Sequence, residues 1–264
     1  RSIASMVHLG TRAFDAIGGE VVATTATVFG GSSADAPASY LRLVDFDGEA
    51  AKEESIREAI ANPTCGWFYR RSTDAFKSIP GTPIAYWVPE RMIDAYKRGR
   101  TFGSEAHPKV GMQTSKNDKF LRLWWEIGGY QFGKHDDGLI WIKYLKGGDY
   151  RKWYGNLWYL LHYNGNPEYI LQQPNARVQD VGYLERCKCT WTDLTSGEPS
   201  FRLAPTDSFY DISGHCFLPA KSDQLFLLAY ANTSIVALMK RVFNSSFHFQ
   251  VGDLSKIAIP TIGA

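Results

Sequence analysis

The sequence predicts an α+β protein whose larger, C-terminal portion is mixed and mostly β and closes on a packing helix. Three observations carry that class. Apolar and β-branched runs of strand length recur between turn residues over much of the middle of the chain. Residues 222–243 then change to helical spacing. Apolar residues make up 44% of the 264 and aromatics 14%, enough for a buried core and far above the content of a disordered segment. A chain of this length forms one large domain or two ordinary ones.

Taken in order, residues 19–29 (GEVVATTATVF) are dense in β-branched side chains and follow a turn at Gly18 and Gly19, so they read as a strand, although no partner of matching length lies nearby. A loop rich in Gly, Ser and Ala leads to a strand at residues 40–44 and a charged helix at 51–61. This reads as the tail of a domain whose body is elsewhere, and the start at Arg1 without an initiator Met suggests a fragment, a processed product or a trimmed chain. Pro63, Gly66, Pro80, Gly81 and Pro83 punctuate a linker, which divides the chain into residues 1–80 and 81–264. Pro89 and Gly99 bracket a short helix at 89–98. Strands are expected at 109–113, 120–126, 139–144, 157–163, 184–191 and 208–212. The helical stripe carries Leu225, Leu228, Ala229, Val236, Met239 and Phe243, with Asn232 on the same face as a hydrogen-bonded core amide or a break between two helices. Residues 252–260 (GDLSKIAIP) alternate apolar and polar before a closing Pro.

Composition excludes several classes. The net charge is only +2, from 29 Lys and Arg against 27 Asp and Glu, so a polyanion partner must be argued from local clusters. Cys65, Cys187, Cys189 and Cys216 are too scattered for a disulfide scaffold and fit a reducing compartment. Without a run of roughly 18 apolar residues or a signal-peptide layout, the expected location is the cytoplasm. The six histidines do not pair at metal-ligand spacing, and Cys187 and Cys189 lack a second half, so no metal site is expected. Residues 128–134 match a phosphate-loop spacing, but His135 stands where a Ser or Thr must bind magnesium. Asp136 and Asp137 read as a solvated turn. Asn166-Pro167-Glu168-Tyr169 approaches the Asn-Pro-Pro-aromatic motif of adenine methyltransferases, with Glu in place of the second Pro, and reads as a plain turn. No catalytic residue is assigned.

Two segments carry binding chemistry. Residues 141–163 place Lys143, Lys146, Arg151 and Lys152 against one acid, Asp149, among eight Trp and Tyr residues. Gly147 and Gly148 permit close approach or positive φ, and Gly155 with Asn156 makes a second turn. Cations there can neutralise phosphates, Arg151 can read guanine, and Tyr150, Trp153 and Tyr154 can stack or wedge; the alternative is a solvated hairpin whose aromatics belong to the sheet core. Residues 108–126 place Gln113, Thr114, Ser115, Lys116, Asn117 and Lys119 on a polar loop. Gln and Asn suit the major-groove edge of adenine, and a self-solvating turn is the alternative.

These two segments, GMQTSKNDKFLRLWWEI and YLKGGDYRKWYGN, resemble paired signatures of the adenine-specific DNA methyltransferases of bacteriophage exclusion (BREX, phage growth limitation) systems and of related fused restriction-modification enzymes. MVHLGTRAFDAIGGEVV at 6–22, FKSIPGTPIAYWV at 76–88 and the tail at 232–260 extend the resemblance in colinear order. It implies that residues 6 to 30 are the terminal strands of a Rossmann-like methyltransferase domain and that the part after residue 80 is a DNA target-recognition domain. The S-adenosylmethionine loop and the Asn-Pro-Pro-aromatic motif would lie upstream of Arg1, so no cofactor is assigned to this chain and S-adenosylmethionine is assigned to the parent. The implied function is recognition of double-stranded DNA, inactive alone, with the methyltransferase domain and other phage-defence subunits as further partners. A protein-interaction module and an enzyme of another class are the competing readings.

Overall fold

A computed structural model describes residues 2–16, 22–31, 36–129, 131–133, 138, 140–178, 180–195, 197–205, 207–219, 224–244 and 246–260. The chain divides into two compact units, Arg1–Gly99 and Arg100–Ala264.

The first unit is built on a four-stranded sheet of β1 (Ser2–Gly10), β2 (Thr24–Gly30), β3 (Pro37–Arg42) and β4 (Phe68–Ser72), in the order β2-β1-β3-β4. The expected strand at 19–29 begins at Thr24 and does have a partner, since β1 pairs with it antiparallel from Ser2 opposite Gly30 to Gly10 opposite Thr24. β1 was hidden in the sequence because SIASMVHLG mixes small, polar and apolar residues, with only Ser2, Met6 and Gly10 buried. The turn at Gly18 and Gly19 and most of the following loop lie outside the described residues. β3 runs parallel to β1, which places Tyr40 beside Met6, and Tyr40 stacks on Tyr86 with ring centroids 4.6 Å apart. Helix α1 (Glu49–Ala61) buries Lys52, whose ammonium donates to the carbonyls of Leu9, Leu43 and Phe46. α2 (Glu90–Lys97) has Pro89 at its N-cap and ends before Gly99 at φ +76°, the left-handed position past a helix end that Gly favours.

The second unit holds two sheets. After α3 (Phe102–Ala106) and α4 (Asn117–Phe120) come β5 (Leu121–Leu123), β6 (Phe132–Gly133), β7 (Trp141–Leu145) and β8 (Tyr159–His162). Helices α5 (Glu168–Leu171) and α6 (Val181–Arg186) precede β9 (Cys189–Thr192), β10 (Phe201–Leu203), β11 (Ser208–Tyr210) and β12 (Gly214–Phe217). One sheet has the order β11-β7-β8-β5, with β6 also on β7, and the other is β10-β9-β12. β11 and β12 are joined by residues 211–213, so that short link couples the sheets. Ile142, Tyr144, Leu161, Phe209 and Tyr210 lie in the core of the first sheet.

Several expected strands are interrupted. Residues 109–113 make single bridges instead of a strand, with Lys109 opposite Cys216, Met112 opposite Asp211 and Gln113 opposite Arg177. Gly111 allows this, because a Cβ there would sit 2.2 Å from the Tyr210 carbonyl oxygen. Residues 120–126 divide into the end of α4, β5 and a tight turn at Trp124–Glu126. Within 184–191, Asp180 accepts from the Tyr183 amide and caps α6, leaving only the end for β9. Residues 251–256 form a helix, α9 (Val251–Lys256), and not an extended alternation.

The C-terminal stripe forms two helices, α7 (Gln224–Ala231) and α8 (Ser234–Phe243), bent by 67°. Asn232 sits in the break, buried, with its amide bonded to both backbone groups of Phe201, so both readings of that residue hold. Among the described residues, no single helix is long and apolar enough to cross a membrane.

Candidate nucleic-acid interface

The basic loop, residues 146–156, leaves the first sheet at the end of β7 and is fixed from below by Asp211. The Asp211 carboxylate, almost fully buried, accepts from the Tyr144 hydroxyl at 2.9 Å and from the backbone and hydroxyl of Ser213, and it lies 3.5 Å from the Lys146 ammonium. Burial first, then the Asp211 charge, holds the Tyr144 phenol well above its ordinary pKa, so it stays a donor. Gly147 donates to the Ser213 hydroxyl, and a Cβ on it would lie 2.8 Å from the Ser213 carbonyl. Its close neighbour is therefore this chain's own backbone. Gly148 takes φ +120°, and buried Asn156, at φ +57°, donates to the Asp149 carbonyl to close the loop.

The outer half is clamped to β10. The Trp153 amide donates to the Phe201 carbonyl and the Trp153 carbonyl accepts from the Leu203 amide, at 3.0 and 2.8 Å. The Tyr154 amide also bonds back to the Lys152 carbonyl across Trp153 at φ +76°, a three-residue γ-turn of the rare, strained hand. A bulky residue held there costs free energy that the surrounding contacts must offset. Its effect is to turn Trp153 outward, 52% exposed, beside exposed Tyr150, Arg151 and Tyr154.

Charge on the loop is partly committed. Lys146 faces Asp211, while Lys152 faces Glu198 at 3.5 Å and donates to the Asn232 carbonyl at 3.0 Å. A hydrogen bond with Tyr150 is the main cause that raises the Lys152 pKa. Arg151 remains exposed. Beneath it lies Arg202, fully buried, which donates weakly to the Arg151 carbonyl, to Ser200 and to the Thr192 hydroxyl, with its Nε unpaired. Burial lowers its pKa to about 10, so it stays charged near neutrality and adds positive potential below the loop.

The second segment is divided. Gln113 follows Met112, which bridges Asp211, and Asp211 in turn donates its amide to Leu145 at the root of the basic loop. Gln113 is thus at the loop's end of the sheet, paired with Arg177, and lines a cleft of about 430 Å3 with Asp193, His215 and Gln250. Thr114 is buried and bonded to the Asn117 side chain, and Ser115, at φ +65°, donates to the Pro174 carbonyl. Lys116 and Asn117 are exposed. Lys119 lies over the Phe120 and Tyr169 rings, next to Leu121, which pairs with Leu161 toward the opposite end of the sheet. The sheet therefore brings Gln113 to the basic loop and carries Lys119 away from it. Nearby, the Asn166 side-chain oxygen accepts from the Glu168 amide, and Pro167 opens α5.

Aromatics from both sequence segments, not among the site residues expected from the sequence, also gather at the basic loop's end. Trp124, Trp125 and Trp158 form an edge-to-face chain, with centroids 5.6 and 6.1 Å apart, and all three are about half exposed. In the sequence they fall within the expected strands at 120–126 and 157–163. The adjacent Trp pair was the available signal, because alternation in a strand would bury one of the two.

No family model matches the chain. It is 31% identical over 273 residues to the adenine-specific methyltransferase PglX of Lacticaseibacillus casei (strain Zhang), a match that takes in 97% of this chain and 23% of that protein. It is also 31% identical over 266 residues to the adenine-specific methyltransferase BrxX of Escherichia coli O9:H4 (strain HS), across 98% of this chain and 21% of that protein. The chain thus spans less than a quarter of either relative's length.

Proposed function

We propose that this chain, a homologue of one segment of the adenine-specific methyltransferases PglX and BrxX, is the C-terminal, DNA-recognising portion of such an enzyme. In this reading residues 1–80 supply the closing strands of a Rossmann-like methyltransferase domain and a linker, and residues 81–264, which include the whole second unit, are the target-recognition domain. Its parent works in phage defence, in the cytoplasm, with S-adenosylmethionine bound by the other part of the enzyme. The residues present here do not fit an adenine-methylating site. Asn166, in the stretch nearest to the Asn-Pro-Pro-aromatic motif, spends its side-chain oxygen on its own turn, and no chemical step is assigned to this chain.

The observation that carries the proposal is the strained, outward Trp153 next to exposed Arg151, held over the buried charge of Arg202. A planar wedge beside a guanidinium suits a groove of DNA, where the one disturbs stacking and the other contacts phosphate or guanine. Gln113, at the same end of the sheet, supplies a side chain that can pair with adenine. The exposed aromatics also fit a protein hot spot, a reading that steep salt dependence of DNA binding would disfavour.

The test is selection of bound duplexes from a random pool, followed by competition with Arg151→Ala. Enrichment of a defined word is expected. If Arg151 reads a base, the variant loses roughly 1–3 kcal/mol of discrimination at one position, and if it meets phosphate all duplexes weaken alike. Unchanged affinity would remove Arg151 from the interface, and failure to retain any duplex would refute the proposal.

A further inference from the structure

We infer that the cleft between Trp124 and Tyr154 holds a single unstacked nucleotide of the DNA bound at the basic loop, an inference that rests on the reading above. The cleft measures about 330 Å3 and is lined by the aromatic residues Trp124, Phe132, Tyr154 and Tyr159, with Leu157 and Pro205. That volume is at the small end of ligand-binding clefts, enough for one nucleotide and far too little for a duplex.

Charge decides the class of occupant. Lys143 lines the cleft, and outside the lining the Lys146 ammonium, already paired with Asp211 at 3.5 Å, lies 6.0 Å over the Tyr159 ring, while no carboxylate appears among the described lining residues. Planar rings with a cation and without an acid suit a ligand that is flat at one end and anionic at the other. A nucleotide has that form, whereas an apolar peptide side chain would leave Lys143 facing a neutral group.

Position supplies the route. Tyr154 follows Trp153 directly in the γ-turn, so the residue turned outward and one wall of the cleft are neighbours in the chain. A Trp wedge that unstacks a base step leaves a base needing a new partner, and the cleft offers one within the same loop. On the other side, Trp124 is fixed by its amide bond to the Trp158 carbonyl at 2.9 Å and by ring contact with Trp125, yet it stays about half exposed. Stacking on such rings tolerates any base, so the cleft contributes affinity for an unpaired nucleotide and no sequence preference.

The test compares the whole chain's affinity for a fully paired duplex with that for the same duplex carrying one bulged 2-aminopurine. About tenfold tighter binding of the bulged duplex is expected, with quenching of the probe, in line with the usual strength of base–aromatic stacking. Trp124→Ala, and separately Lys143→Gln, should remove the preference. Equal affinity for the two duplexes would overturn this inference and leave the basic-loop reading standing, as would a preference that survives Trp124→Ala. Failure to bind either duplex would overturn both.

Discussion

Replacing Asn232 with Leu should destabilise the second unit by about 3 kcal/mol, through contacts that can be counted. Its side-chain oxygen accepts from the Phe201 amide at 2.9 Å, and its nitrogen donates to the carbonyls of Phe201 at 3.0 Å and Leu228 at 3.1 Å. Each such bond contributes about 0.5–1.5 kcal/mol net, and a stranded buried group costs about 1–3 kcal/mol. The two carbonyls keep other donors, the amides of Trp153 and of Asn232 itself, so only the Phe201 amide is stranded. For a unit of this size about 3 kcal/mol corresponds to a melting shift of roughly 6–12 °C. Asn232→Asp keeps the shape and the acceptor but sets a second carboxylate oxygen against the Phe201 and Leu228 carbonyls in a buried site, and should destabilise at least as much as Leu. Because Trp153 hangs on the same strand, DNA affinity should weaken under conditions where the variant is still folded. Thermal melting followed by circular dichroism reads the first effect and a duplex titration at low temperature the second. A Leu variant that melts within roughly 2 °C of the parent would refute the view that this amide ties α7 to β10.

Trp153→Gly relieves a positive φ at a position whose backbone bonds remain, so stability should stay level or rise by about 1 kcal/mol while DNA affinity falls. Loss of both together would mean that the indole supports the fold. The His215 ring is held neutral mainly by burial, against the opposing pull of Asp193, so its pKa in the folded chain lies below the ordinary value. A lowered imidazole pKa makes the unfolded chain the better proton binder. The stability it contributes is therefore complete above about pH 6.5 and is lost as pH falls below that toward the lowered folded value. Denaturant unfolding across that window should show stability rising with pH and a flatter profile for His215→Gln. His162, also lowered by burial, acts in the same direction. Greater stability on the acid side would contradict the assignment.

What the sequence disclosed depended on how local the cause was. The α2 boundaries were legible because Pro89 and Gly99 act through their own backbones, and Asn232 stood out as an amide on an apolar stripe. β1 was not legible, because its strand character comes from β2 and β3 on either side and not from its own residues. The bridges at 109–113 were equally hidden, since Gly111 owes its role to a carbonyl about a hundred positions away. In the candidate interface, composition marked the basic loop but could not separate its exposed face from its supports. Gly147 lets the loop pack against Ser213, Asn156 closes the loop on the Asp149 carbonyl, and Thr114 is a buried brace. Arg202 was not legible, because a charged residue in a stretch without a strand pattern reads as solvated until its neighbours in β10 and β9 are known to bury it.

Binding of duplex DNA by the basic face of the second unit should be read first from its dependence on salt. With Lys146 and Lys152 committed to acids, the cations on offer among the described residues of this face are Lys116, Lys119, Lys143, Arg151 and Arg177. Since Lys119 is carried toward the far end of the sheet, about four phosphates neutralised is the expectation. A plot of log affinity against log salt for random-sequence duplex should then fall with a slope of about −3 to −4. Binding that ignores salt, or no binding at low salt, would contradict the account.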